Sequence, residues 1–106
     1  MPSLVRGDGI DLVQAPHGTG AFCAVPEIYA TDECSSTVFI GGHGVVREGD
    51  VMQTHPQPGC DPHTPVCVTY SSTVYIEGKR VARVGDTYGP DSPHVILTGL
   101  DTIQVG

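Results

Sequence analysis

Helix formers are scarce in this chain, which has four Leu and five Ala among its 106 residues. Long helices are thereby disfavoured. Positive charge is scarce as well: five Lys and Arg face twelve Asp and Glu, for a net charge of −7. Neutralising phosphates needs basic side chains, so a nucleic-acid partner is excluded. No apolar run approaches the roughly 20 residues of a membrane span, and the first residues lack the basic-then-apolar order of a signal peptide. The expectation is a chain without stable membrane insertion that is cytoplasmic at synthesis. At this length apolar burial leaves little surplus over chain entropy, so a staple of some kind is expected.

What the chain does have is fourteen Val, ten Thr, fourteen Gly and nine Pro, the composition of short strands and turns. It also has a repeat. Residues 36–50, Ser-Thr-Val-Phe-Ile-Gly-Gly-His-Gly-Val-Val-Arg-Glu-Gly-Asp, recur at 72–86 as Ser-Thr-Val-Tyr-Ile-Glu-Gly-Lys-Arg-Val-Ala-Arg-Val-Gly-Asp, with nine of fifteen positions identical. Residues 101–106 resemble the start of this motif and residues 4–8 its end. Residues 1–106 therefore read as one domain with three repeats, the third split between 101–106 and 1–8. A repeat whose pieces complete each other across the two ends suggests a closed ring, because an open solenoid would need distinct caps. The fold class expected is mainly β, a small pseudo-three-fold domain of β-hairpin repeats with long loops.

Within each repeat, 37–40 and 45–47, or 73–76 and 81–84, read as strands joined by Gly41-Gly42-His43-Gly44 and Glu77-Gly78-Lys79-Arg80. Alternation places Val38, Ile40, Val74, Ile76, Ile103 and Val105 on one face, the expected centre. The opposite face carries Phe39, Tyr75 and Gln104. Two aromatics at equivalent outward positions read as half-buried packing, with a docking surface as the alternative. Each repeat then turns a Gly-Asp corner, at 7–8, 49–50 and 85–86, where Gly takes left-handed backbone angles and Asp is expected to accept hydrogen bonds from amides two or three residues on. Arg6-Gly7-Asp8 also spells a cell-adhesion tripeptide, which the repeat explains better.

Each corner is followed by histidine: His17 after Asp8, His55 and His63 after Asp50, His94 after Asp86. Equivalent positions in a three-fold ring are equidistant from the axis, so three imidazoles can converge on one ion. Zn²⁺ accepts three nitrogens and a thiolate in a tetrahedron. The expected ligands are His17, His63 and His94 with Cys60, or with His55 as the rival fourth ligand; His43, in a hairpin turn, lies outside the set. Four protein ligands make a closed, structural site, whereas an open three-His site would support a zinc-dependent hydrolase with Asp61 or Asp91 as base. Without a secretory leader the four cysteines are expected as thiols; a Cys23–Cys34 disulfide is an alternative under oxidation. The connections 9–35 and 51–70 are long, the second stiffened by its prolines.

The paired Ser-Thr-Val-(Phe/Tyr)-Ile-x-Gly…(Val/Ala)-Arg-x-Gly-Asp units resemble the PAAR-repeat family. The second copy is very similar to the family string, while the first has His43-Gly44 in place of its Lys-Pro portion, and the family's usual Pro before Thr is missing from both. The resemblance implies a cone-shaped, non-enzymatic tip with one structural Zn²⁺ near its point. It further implies docking, one copy per trimer, on the blunt end of a homotrimeric β-helical spike, a VgrG-type protein of a type VI secretion system or the central spike of a contractile phage tail. Strand edges and outward residues Thr37, Phe39, Thr73, Tyr75, Thr102 and Gln104 would meet the spike by β-augmentation. The protein would leave with that machine or reside in a virion tail, carry any effector cargo as a separate chain, and serve membrane puncturing. A generic zinc-stapled binding module is the remaining alternative.

Overall fold

The computed structural model describes residues 2–16, 28–56, 61–90 and 93–106. Among these there is no helix, and so none long and apolar enough to cross a membrane. The strands are β1 (Ser3–Leu4), β2 (Leu12–Gln14), β3 (Ile28–Ala30), β4 (Phe39–Ile40), β5 (His43–Gly44), β6 (His55–Pro56), β7 (Pro62–His63), β8 (Val66–Cys67), β9 (Tyr75–Ile76), β10 (Lys79–Arg80), β11 (Thr87–Gly89), β12 (His94–Ile96) and β13 (Leu100–Gln104). They build an elongated body of 39 × 23 × 22 Å.

Its middle is a ring. Three antiparallel bridges join Arg6 to Val45, Arg47 to Val81 and Arg83 to Leu4, so each of the segments 4–6, 45–47 and 81–83 touches both others. The Val46 amide donates to the Val5 carbonyl at 3.0 Å and the Ala82 amide to the Val46 carbonyl at 2.9 Å. Successive side chains of an extended segment point to opposite sides, and the ring uses this to separate two cores. Leu4, Val45 and Val81 face a small cluster with Ile40, Val38, Val74, Ile76, Leu100, Ile103 and Val105. Val5, Val46 and Ala82 face a larger one with Val13, Ala15, Tyr29, Met52, Cys67, Tyr88 and Ile96. The six residues expected at the centre thus do pack together, but only Ile40 among them is buried. The main core is built from the connections after the corners, whose irregular spacing hides it from periodicity.

On the small-cluster side stand three hairpins. β4 pairs with β5 and β9 with β10, while β13 pairs with β1, Ser3 opposite Gln104, across the two ends of the chain. The connections are shorter than expected. Gly41-Gly42 (φ 56° and 84°) and Glu77-Gly78 (φ 57° and 78°) are two-residue turns with both residues left-handed, whose twist matches that of the flanking strands. His43-Gly44 and Lys79-Arg80 consequently belong to strands. Gly44 is required by close approach, since a Cβ there would lie 2.1 Å from the Ser35 carbonyl oxygen. Glu77 holds a left-handed backbone that costs a non-Gly residue roughly 1–2 kcal/mol. Its carboxylate accepts hydrogen bonds from Ser35 Oγ at 2.7 Å, from the Thr37 hydroxyl and from Arg47 Nη1 at 2.7 Å, tying the second hairpin to the first.

The corners are clamped by arginine. The Arg47 amide and Nε donate to Asp50 Oδ2 at 2.8 and 3.0 Å, and Nη2 donates to Oδ1 at 3.1 Å. Arg83 repeats this on Asp86 at 2.8, 2.9 and 3.1 Å. The carboxylate therefore reaches back three residues rather than forward. At the remaining corner the partner of Arg6 is Asp11, at 2.7, 3.1 and 2.9 Å, and not Asp8 as the Gly-Asp pairing suggested. Two extra residues lengthen this turn, leaving Asp8 exposed at φ 56°. Arg6, engaged by Asp11, is not presented as part of an adhesion tripeptide.

Beyond the ring, β3-β2-β12-β11-β8 form a five-stranded sheet whose two edges are joined by residues 50–53. Thr31 bridges Met52 on one side and Val51 bridges Val66 on the other, with Gln53 N to Ala30 O and Met52 N to Pro65 O both at 3.0 Å. The sheet thus closes into a small barrel around the larger core, which leaves neither edge open to another chain.

Removing one member of a buried ion pair strands the other. Asp50→Ala should therefore cost about 3–5 kcal/mol in urea unfolding, and Asp11→Ala somewhat less because Arg6 is more exposed. Asp8→Asn should stay within about 0.5 kcal/mol, and a large loss there would return the corner to Asp8. A second expectation concerns Glu77, whose carboxyl is held below its ordinary pKa first by the Thr37 hydroxyl and then by Ser35 and Arg47. A depressed folded pKa contributes stability that is present above the unfolded value of about 4.3 and lost as pH falls through the folded one. The stability gap between wild type and Glu77→Gln should accordingly be full at neutral pH and shrink in acid.

Candidate metal centre

β6 and β7 form a hairpin in which His55 lies opposite His63 and Pro56 opposite Pro62. The Thr54 and Thr64 hydroxyls meet 2.7 Å apart at its base. His94 comes from β12, in register with Tyr88 of the barrel. The three imidazoles meet edge to edge: His55 Nε2 lies 3.0 Å from His94 Nε2 and 2.8 Å from His63 Nε2. All three candidate ligand atoms fall within 4.8 Å of one another. His55 and His94 are buried and His63 half-buried.

The protonation of His55 follows from its surroundings. Its Nδ1 lies 2.8 Å from the Gln53 carbonyl oxygen; a carbonyl only accepts, so Nδ1 carries the hydrogen and Nε2 presents a lone pair. That is the tautomer of a metal ligand whose far nitrogen is held by an outer partner. The separations approach the about 3.3 Å between nitrogens that tetrahedral Zn–N bonds of about 2.0–2.1 Å require. Among the described residues the convergent donor set is imidazole alone, a set that suits borderline first-row ions over Mg²⁺ or Ca²⁺. The three histidines can hold a metal ion.

The described cysteines stay out of this set. The Cys67 thiol is buried and pushed up to about 12, and burial also raises that of Cys34. Both are free thiols, and neither is poised as a thiolate. Tyr29, by contrast, lies against the site, its ring stacked on His55 at 4.0 Å between centroids and 22° between planes.

A family model described as PAAR motif matches residues 31–90. The chain belongs to the PAAR motif family. No curated protein sequence matches it. The PAAR match contains the clamps Arg47–Asp50 and Arg83–Asp86 together with His55 and His63, while His94 and the Arg6–Asp11 corner lie outside it. The family is associated with the tips of type VI secretion spikes.

In this PAAR chain His63 and His94 converge with His55, the residue expected as the rival ligand, while His17 and Cys60 lie outside the described residues. His43 stands in a hairpin strand with Nδ1 4.0 Å from Asp8 Oδ2, away from the cluster, and Asp61 is exposed. Asp91 is outside the described residues. Thr37, Thr73, Thr102 and Gln104 are exposed, as are Phe39 and Tyr75 at 56% and 51%, so the two aromatics are not half-buried packing. One histidine per corner ranks His55 behind His63; what sets the two face to face is the β6–β7 register, which spacing from the corners does not contain. Nothing in the sequence pointed to Tyr29.

His94→Ala should weaken divalent-ion binding by at least the roughly 10–100-fold that loss of an outer partner costs, read by competition with a chromophoric chelator. Binding unchanged in that variant would remove His94 from the site.

Proposed function

We propose that this protein is a non-enzymatic spike tip. Residues 1–106 form one PAAR-like unit, its third repeat divided between 101–106 and 1–8. It caps the blunt end of a homotrimeric β-helical spike, VgrG or a phage central spike, as one copy per trimer. The observation that carries this reading is the ring of three bridges, Arg6–Val45, Arg47–Val81 and Arg83–Leu4, which sets three hairpins about a common axis. A single asymmetric chain meets a three-fold partner without mismatched contacts only if it repeats its own contact surface three times.

In this reading strands β4, β9 and β13 offer their backbone edges to the spike, extending its sheets by β-augmentation. Thr37, Phe39, Thr73, Tyr75, Thr102 and Gln104 supply the side-chain contacts. One structural Zn²⁺ is held by His55, His63 and His94, with Cys60 or His17 completing the sphere, and stiffens the opposite side of the ring. That ion polarises no substrate here; it adds its binding free energy to the modest apolar packing of a short chain. The protein travels with the machine that carries the spike, from the cytoplasm outward or within a virion tail.

Mixing the chain with a trimeric spike protein and measuring the complex mass by light scattering should give one copy per trimer. Three copies per trimer would sink the symmetry argument. For the ligand set, Co²⁺-substituted protein should show a sulfur-to-metal charge-transfer band that Cys60→Ser abolishes; a band absent from wild type would remove the thiolate in favour of His17.

A further inference from the structure

The metal reading names three ligands, and one of them is held by more than the protein needs merely to fill space. His55 is fixed on two sides by groups that belong to the barrel edge rather than to its own hairpin. From below, its Nδ1–H donates to the Gln53 carbonyl at 2.8 Å. The same Gln53 is sewn to β3 twice, its amide donating to the Ala30 carbonyl at 3.0 Å and its side-chain Oε1 accepting from the Ala30 amide at 3.1 Å. From the side, the Tyr29 ring lies nearly parallel to the imidazole, 4.0 Å between centroids. Tyr29 is itself the middle residue of β3, paired to Val13, so its ring cannot follow His55 if the latter turns.

These two constraints remove different motions. The hydrogen bond sets which nitrogen faces the site, and the stacked face limits rotation of the ring about its Cβ–Cγ bond. Together they leave His55 Nε2 aimed between His63 and His94, 2.8 and 3.0 Å away. The phenol hydroxyl is not the active part: it is buried and finds no hydrogen-bond partner among the described residues. The ring face is what reaches the histidine.

We propose that Tyr29 is a positioning residue for the metal, its aromatic face holding His55 in the ligating orientation. The inference rests on the three-histidine metal reading. It predicts that the flat ring matters and the hydroxyl does not, a pattern that simple space filling would not produce.

The test uses the full chain and Zn²⁺ as the probe, with affinity measured by competition against a chromophoric chelator. Tyr29→Phe, which keeps the face, should bind Zn²⁺ within about threefold of wild type and melt no lower, whereas Tyr29→Leu should lose roughly 10–100-fold in affinity, the range for loss of an outer partner of a ligand. Tyr29→Met, which fills the space flexibly without a planar face, should lose affinity like Leu. If Leu or Met folds only with metal present, the dependence of the melting temperature on Zn²⁺ concentration gives the same affinity by mass action. Wild-type affinity in the Leu and Met variants would overturn the proposal, as would failure of both to fold at saturating Zn²⁺, which would make Tyr29 a residue of the fold and not of the site. Wild-type protein that takes up no Zn²⁺ would instead defeat the metal reading itself.

Discussion

The clamp between an arginine and an aspartate at each corner is the interaction on which the rest depends. Arg47 with Asp50, Arg83 with Asp86 and Arg6 with Asp11 each join a guanidinium to a buried carboxylate through two nitrogens and add a backbone amide on the same oxygen. Bidentate geometry with an extra amide makes these among the stronger charged hydrogen bonds available to a protein. The Nη2 that meets the carboxylate also donates to a carbonyl at the entrance of a hairpin: from Arg47 to Cys34, from Arg83 to Tyr70 and from Arg6 to Gly99, at 3.4, 3.2 and 3.4 Å. One side chain thus fixes both where a segment leaves the ring and where a hairpin arrives. Three such clamps place the hairpins on one side and send the long connections to the other.

That division of labour explains why a chain of 106 residues can support two small cores. Ring residues alternate between them, Leu4, Val45 and Val81 toward the hairpins, Val5, Val46 and Ala82 toward the barrel. The barrel in turn closes through residues 50–53, which follow directly from the corner at Asp50 and lead into His55. Corner, barrel edge and candidate metal ligand are therefore consecutive in sequence. Holding an ion between β6, β7 and β12 would join a separate two-stranded hairpin to a strand in the barrel wall.

The repeat was legible because its physical demands are local: an alternating strand, a tight turn and an Arg-x-Gly-Asp corner recur at the same offsets and leave identical residues behind. Where the demands were met by substitution or insertion, legibility failed. Gly7-Asp8 imitates the corner in sequence, whereas the carboxylate that Arg6 holds is that of Asp11, two residues further from its arginine than at the other corners. Ser35 and Ser71, whose hydroxyls accept from the amides two and three residues on, were masked by the adjacent Ser36 and Ser72. Both serines stand one residue ahead of the motif as the sequence displayed it. The main core was hidden for another reason, since Val13, Met52, Tyr88 and Ile96 come from connections with no common period. The histidines were legible as a group, but which of them converge depended on the pairing of β6 with β7, a tertiary fact that spacing from the corners does not contain.

If the clamps and bridges make one closed ring, it should not matter where the chain is cut. The most direct measurement is thermal unfolding of a circular permutant in which residue 106 is joined to residue 2 by a short linker, Val105 and Pro2 already being hydrogen-bonded at 2.9 Å, and new ends are opened between Gly41 and Gly42. The account predicts a cooperative transition within about 4–8 °C of the original, a shift of about 1 kcal/mol for a domain of this size. A permutant that fails to fold, or that melts without cooperativity, would contradict the closed three-fold ring.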